Sequence, residues 1–341
     1  MINWQKELTN PELIKPGLLI NGKWIYDRPQ QNVTNPANNE IIATICEATA
    51  DDIDMAINTA HKGFMQWKSR TAKERAKILR KLYDLIVANS DDLAKIITLE
   101  AGKPLAEAKG EILYGASYFE FFGEEAKRIY GNTIDANVST QRVLIRKEPV
   151  GVCAAITPWN FPNAMLARKV AAALAAGCSM IARPSGQTPL SALAMGYLSM
   201  EAGVPAGVFN LVTGNSSLIS KKFCESDVIR KISFTGSTEV GMQLYQNSSS
   251  TLKRLSLELG GNAPFIVFDD ANLDKAIDGL IKSKFRNTGQ TCVCANRVFV
   301  SNKVYDKFIN KLTAKVKQLK VGNGLNPGIN IGPLINKNAA D

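Results

Sequence analysis

Between residues 51 and 130 the apolar positions recur at the spacing of a helix face. Ile78, Leu79, Leu82, Leu85 and Ile86 fall at i, i+1, i+4, i+7 and i+8, with lysine, arginine and acidic residues between them. The spacing predicts a helix-rich segment, and Gly102 followed by Pro104 ends one helix and lets the next begin. From Gly131 the period changes. "GNTIDANVSTQRVLIRK" alternates β-branched and polar residues about a polar "NVST", which predicts a protruding hairpin over 131–147 that feeds a buried strand. Strand-like runs at 152–157, 179–182, 208–212 and 229–235 then alternate with helical runs, among them 164–176 and 189–202, through short Gly/Pro links. Such alternation predicts an α/β fold with a doubly wound parallel sheet, whose ligands sit at the carboxyl ends of its strands.

A chain of 341 residues fits about two domains. No apolar run reaches the ~18 residues that would span a bilayer, and the opening "MINWQKELTNPELIKPG" has no uninterrupted apolar stretch of the kind a secretory signal needs. A cytoplasmic protein without a membrane partner is expected. The net charge of +10 raises the question of nucleic acid. Its lysines and arginines, however, are interleaved with acids on helical faces such as "RTAKERAKILRKLYD", and no basic block, zinc-ligand spacing or RNA-binding aromatic motif occurs. No nucleic-acid partner and no metal are expected.

The single histidine, His61, lies in the amphipathic "DMAINTAHKGFMQW" and reads as a surface or packing residue, which argues against cysteine–histidine or serine–histidine hydrolysis. The six cysteines are scattered and form no disulfide framework. Most read as small buried apolar residues. Cys292 and Cys294 stand apart, one residue from each other in the glycine- and threonine-flanked "NTGQTCVCANR".

Four loops follow predicted strands: "TPWNFP", "RPSGQTP", "FTGSTEVG" and "LELGGNAP". "GSTEVG", opening a helix, would let backbone N–H groups approach a pyrophosphate, although it lacks the G-x-G-x-x-G spacing. Glu258, between two leucines, reads either as a carboxylate in a dry environment with a raised pKa, suited to act as a base, or as one paired with a nearby cation.

"TPWNFP", "FTGSTEVG", "LELGGNAP" and "GQTCVCANR", in this order and spacing, resemble the aldehyde dehydrogenase superfamily over essentially the whole chain. The resemblance implies that the Cys292 thiolate attacks the aldehyde carbon to give a thiohemiacetal, that Asn160 and the Cys292 N–H hold the oxyanion, and that Glu258 activates the water that hydrolyses the thioester. It places the cofactor, NADP or NAD, against Thr157, Pro158, Trp159, Asn160, Arg183, Pro184, Ser185, Gly186, Gly236, Ser237, Gly241 and Leu259. "FRNTGQTCVCANR" and "WNFPNAMLARK" resemble the subgroup that oxidises succinate semialdehyde, in which two arginines clamp the remote carboxylate; residue by residue these are Arg168 and Arg286. Read without the resemblance, both arginines merely cap or pack. Cys294 is implied as a redox partner of Cys292, or equally as a packing residue.

The family usually has lysine where this chain has Arg183, and its NAD-preferring members have glutamate where this chain has Gly186; the missing carboxylate implies tolerance of a 2′-phosphate. The resemblance further implies a dinucleotide-binding domain over 1–130 and 148–256, an oligomerisation hairpin over 131–147, and the first part of a catalytic domain over 257–341. Relatives continue beyond "GPLINKNAAD" with a piece that completes the catalytic sheet and the substrate tunnel and pairs with a partner's hairpin. A homo-oligomer is therefore expected of the full-length form. Three functions stand open at this point: succinate-semialdehyde oxidation, oxidation of another semialdehyde such as glutarate semialdehyde, and an inactive cofactor-binding remnant.

Overall fold

The computed structural model describes residues 3–341. Its N-terminal arm carries β1 (Leu18–Ile20), β2 (Lys23–Ile25), β3 (Gln30–Thr34) and β4 (Ile41–Cys46). Hydrophobic alternation does not mark these short strands. The first two are joined by Asn21-Gly22, both at positive φ (55° and 69°), a two-residue turn whose twist matches an antiparallel pair. Four helices follow: α1 (Ala50–Lys68), α2 (Ala72–Ala88), α3 (Ser90–Ala101) and α4 (Leu105–Glu125). Thr49 with Asp52, and Thr71 with Glu74, form reciprocal capping boxes that satisfy the first N–H groups of α1 and α2. Gly102, in the left-handed conformation, closes α3. His61 lies exposed on α1. The hairpin of β5 (Asn132–Asp135) and β6 (Arg142–Ile145) is antiparallel and almost entirely exposed.

The alternating segment comprises β7 (Val152–Ile156), α5 (Pro162–Ala176), β8 (Ser179–Arg183), α6 (Leu190–Ala202), β9 (Phe209–Leu211), α7 (Ser216–Glu225), β10 (Ile229–Thr235), α8 (Thr238–Asn247) and β11 (Arg254–Glu258). Its five strands are parallel in the order β11-β10-β7-β8-β9, and β1 and β2 extend the sheet antiparallel beyond β9. β7 is buried along its whole length because helices cover both faces of the sheet. Trp67 of α1 is fully buried, and its indole N–H donates to the Leu174 carbonyl of α5 at 2.9 Å. The chain passes from β7 to β8 on one side and returns as β10 on the other. The carboxyl ends of β7 and β10 therefore flank a switch point, where ligands of such sheets bind.

β11 runs to Glu258, through the boundary expected after residue 256. Beyond it, β12 (Ala263–Val267) and β13 (Ala295–Val300) form a separate parallel pair. They pack with α9 (Leu273–Lys284) and α10 (Tyr305–Val316) around Val267, Ile277, Leu280, Ala295 and Phe308. Among the described residues no helix is long and apolar enough to cross a membrane.

Candidate active site

A cavity of about 330 Å³ opens at the switch point. Thr157, Pro158 and Trp159 after β7, Arg183 at the end of β8 with Ser185 after it, and Gly236 and Ser237 after β10 line it, together with Ser216, Ser217 and Ser220 of α7 and Thr235. The hydroxyls of Thr157 and Thr235 and the Nε of Arg183 are buried without a hydrogen-bond partner. Leaving such groups unpaired costs about 1 to 3 kcal/mol each, so the cavity is chemically set for a polar ligand with acceptors. Ser237 caps α8, accepting from the Val240 N–H at 3.3 Å, and the Gly236 N–H donates to the Glu258 carbonyl at 3.1 Å, which ties this loop to the end of β11. Gly241 packs against Leu259; a Cβ there would stand 2.7 Å from Leu259 Cδ2. Pro184 is buried within its loop, and Gly186 faces Gln31 of β3. Asn160 lies on the other side, toward Cys292.

The loop that carries Cys292 is held from several directions. Asn287 is buried and left-handed (φ 50°), as is the half-buried Thr288 that follows (φ 59°). Backbone of this kind persists where its surroundings over-determine it. Here the Asn287 N–H donates to the Glu107 carboxylate at 2.8 Å, and its side-chain amide donates to the carbonyls of Asn160 (3.0 Å) and Gln290 (3.1 Å). The Asn160 side-chain amide also donates to the Gln290 carbonyl at 3.0 Å, while its Oδ1 is buried without a partner. Asn160 is thus bound to the loop two residues before the cysteine. Cys292 is exposed, and its backbone N–H has no protein acceptor among the described residues. Cys294 is buried, with its thiol directed to the Gly289 carbonyl and the Asn296 side chain, both at 3.4 Å.

The "LELGGNAP" loop approaches the same cysteine. A Cβ at Gly261 would lie 3.0 Å from the Cys292 carbonyl oxygen, and Asn296 and Arg297 donate to the carbonyls of Gly261 and Asn262 at 3.1 Å each. Glu258 itself is exposed, which removes the first of its two readings, the dry carboxylate. The physical reason is the period of two in a strand: Leu255 and Leu257 pack on one face, so Ser256 and Glu258 point to the other. That face borders a second cavity, of about 560 Å³, lined by Arg168, Lys169, Lys231, Ser233, Ser256 and Glu258 and backed by Tyr118, Cys153 and Cys178.

The two arginines do not meet in one cavity. Arg168 projects from α5 into the second cavity, where it donates to the Tyr114 hydroxyl at 3.0 Å and lies over the rings of Tyr114 and Tyr118. Arg286 is exposed, stacks on Phe161 at 4.9 Å, and borders a third cavity beside Glu107 and Glu111. They are separated because one rides the helix after Asn160 while the other rides the turn that follows α9.

Sequence reasoning missed three groups. Lys169 donates to Ser233 at 2.9 Å; burial, with Arg168 beside it, pulls its pKa down to about 8 against the attraction of Glu258. Lys103 and Glu111 form a buried ion pair at 2.5 Å. Lys103 also donates to the Asn160 carbonyl at 2.7 Å, and Glu111 accepts from the N–H groups of Asn163 and Ala164 at 3.0 and 3.2 Å, so the pair holds both ends of the turn that presents Asn160. Lys103 stands directly after the Gly102 that punctuates the helices, the one signal that could have singled it out.

Comparison with known proteins identifies the family. The aldehyde dehydrogenase family matches residues 24–341. The chain is 52% identical over 335 residues to succinate-semialdehyde dehydrogenase [NADP(+)] GabD of Escherichia coli, covering 98% of this chain and 70% of that protein. It is equally 52% identical to glutarate-semialdehyde dehydrogenase of Pseudomonas putida, with the same coverage. A crystal structure of an aldehyde dehydrogenase from Brucella melitensis superposes with a TM-score of 0.96 at 57% identity, over 97% of this chain and 69% of that one. The chain belongs to the aldehyde dehydrogenase family.

Proposed function

We propose that the protein catalyses NADP- or NAD-dependent oxidation of a semialdehyde that bears a remote carboxylate, succinate semialdehyde first and glutarate semialdehyde second. The observation that carries this reading is the hydrogen-bonded union of Asn160 with the loop of the exposed Cys292, beside a switch-point cavity lined by unpartnered polar groups. The relatives named for succinate and glutarate semialdehydes support the substrate class.

In this reading the Cys292 thiolate attacks the aldehyde carbon, and the developing oxyanion takes hydrogen bonds from the Cys292 N–H and from the Asn160 amide, which leaves the Gln290 carbonyl to do so. A nicotinamide cofactor, when bound, supplies the hydride acceptor. Thr157, Thr235 and Arg183, with their unpaired groups at the switch point, would hold it, together with Ser237 at the start of α8. Glu258 accepts a proton from the water that hydrolyses the resulting thioester on sulfur. By resemblance Arg168 and Arg286 hold the substrate's far carboxylate; because they border separate cavities here, this role requires the two side chains to leave Tyr118 and Phe161 and converge on the substrate. Residues 1–130 and 148–256 serve the cofactor, 257–341 the chemistry, and the exposed 131–147 hairpin self-association of the full-length form.

The test is reduction of NADP in the presence of succinate semialdehyde, with hexanal as an uncharged control. Turnover of the semialdehyde in strong preference to hexanal is expected. Equal use of both would remove the carboxylate from recognition, and cofactor binding without reduction by any aldehyde would favour the inactive-remnant reading.

A further inference from the structure

Gly186 sits in the loop after β8, beside Arg183 and Ser185, which line the switch-point cavity. In doubly wound sheets the end of the second strand addresses the adenosine ribose: an acidic residue there binds the 2′-hydroxyl, and a nearby arginine accommodates a 2′-phosphate. No side chain at 186 can do this, and the reason lies outside the loop. Gln31, on β3 of the N-terminal arm, fills the space. A Cβ at Gly186 would stand 2.8 Å from Gln31 Nε2 and 3.1 Å from its Oε1, and Gln31 Nε2 donates to the Gly186 carbonyl at 3.4 Å. The arm is fastened at this end of the sheet. The Ala48 N–H donates to the Thr213 carbonyl at 2.8 Å, and the Thr213 hydroxyl donates to the Cys46 carbonyl at 2.6 Å, just past β9.

We infer that Gln31 is the specificity-determining side chain for the adenosine ribose, standing where a loop carboxylate would otherwise stand. One of its two amide N–H groups is committed to Gly186; the other N–H and the carbonyl oxygen remain for a ligand. A neutral amide accepts from a ribose hydroxyl or donates to a phosphate oxygen, so it admits both cofactors without repelling either. The glycine at 186 is then the complement of Gln31 rather than a simple loss of a carboxylate. This inference rests on the cofactor site proposed above.

The test is equilibrium binding of NADP and NAD, by fluorescence, to the unmodified chain, Gln31→Glu and Gln31→Ala, with near-ultraviolet circular dichroism to establish folding. Gln31→Glu sets a negative charge against the 2′-phosphate and is expected to weaken NADP about tenfold or more, with NAD changed by less than about threefold. Gln31→Ala is expected to weaken NADP several-fold without introducing repulsion. Unmodified protein that binds neither nucleotide overturns the cofactor site and this inference together. Binding with an NADP-to-NAD ratio that moves in neither folded variant overturns this inference alone.

Discussion

Replacing Lys103 with methionine isolates what the buried ion pair contributes. Both partners are withdrawn from water, with side-chain exposures of 0% and 1%, so Glu111 loses its only cationic partner among the described residues and cannot recover it from solvent. Removing one member of a buried pair typically costs 3 to 5 kcal/mol, that is, about 4 kcal/mol. Two features pull the figure toward the lower end: Glu111 keeps the N–H groups of Asn163 and Ala164, and methionine nearly fills the lysine's volume. We expect about 3 kcal/mol. Glu111→Gln strands Lys103 with only the Asn160 carbonyl and the Phe161 ring, 4.1 Å away, and should lose a similar amount. The double variant removes both charges at once. It should fall short of the sum of the single losses by about 1 to 3 kcal/mol. The assay is urea unfolding followed by far-ultraviolet circular dichroism and tryptophan fluorescence, accepted only where the two transitions coincide. Single-variant losses below about 1 kcal/mol, or strict additivity in the double variant, would refute the assignment of this pair as a structural anchor.

Cys292→Ala should abolish aldehyde oxidation and leave NADP binding within about twofold, measured by activity and fluorescence titration; retained turnover removes Cys292 from the chemistry. Substituting either Arg168 or Arg286 by alanine should lower kcat/KM for succinate semialdehyde by about 2 to 5 kcal/mol in transition-state terms, with little effect on hexanal, and an unchanged ratio between the two substrates would sink the carboxylate clamp. Burial pushes Glu100 up to about 7, against the N–H groups of Leu190 and Ser191 that it accepts. Its folded pKa lies above the ordinary 4.5, so the stabilisation it provides is complete below that value and is lost as the pH rises through about 7. That loss is about 3 kcal/mol, so melting temperatures of the unmodified protein and of Glu100→Gln should converge or cross between pH 5 and about 7.5; parallel profiles would contradict the assignment.

The doubly wound sheet was legible because strand-like and helix-like runs alternate through short Gly/Pro links, with β7 a continuous apolar run. The hairpin at 131–147 was legible from its change of period. β1 to β4 were not, because none shows alternation: β1 and β2 have three residues each, β3 is polar at every position but Val33, and β4 is apolar at every position but Thr44, although Asn21-Gly22 was a turn signal open to reading. Of the two readings open for Glu258, the dry one fails for a reason of another kind. Its neighbours in sequence are leucines, but a strand sends neighbours to opposite faces, so adjacency carried no information about its surroundings. Arg168 and Arg286 share a role by resemblance, whereas α5 and the turn after α9 direct them to different cavities. Glu111, Asn287 and Gln31 were invisible, and Lys103 was marked only by the Gly102 before it, because their importance is a matter of long-range geometry: Lys103 reaches Asn160 and Gln31 reaches Gly186 across segments that no periodicity connects.

The most direct measurement of the central claim is single-turnover analysis of Glu258→Gln with succinate semialdehyde and NADP, combining absorbance of the reduced cofactor with peptide mass spectrometry. Without the base, deacylation should stall while acylation proceeds. The account predicts one equivalent of NADPH per active site and a succinyl thioester on Cys292, with slow release of succinate. Sustained turnover at the unmodified rate, or NADPH formed with no acyl adduct on Cys292, would contradict it.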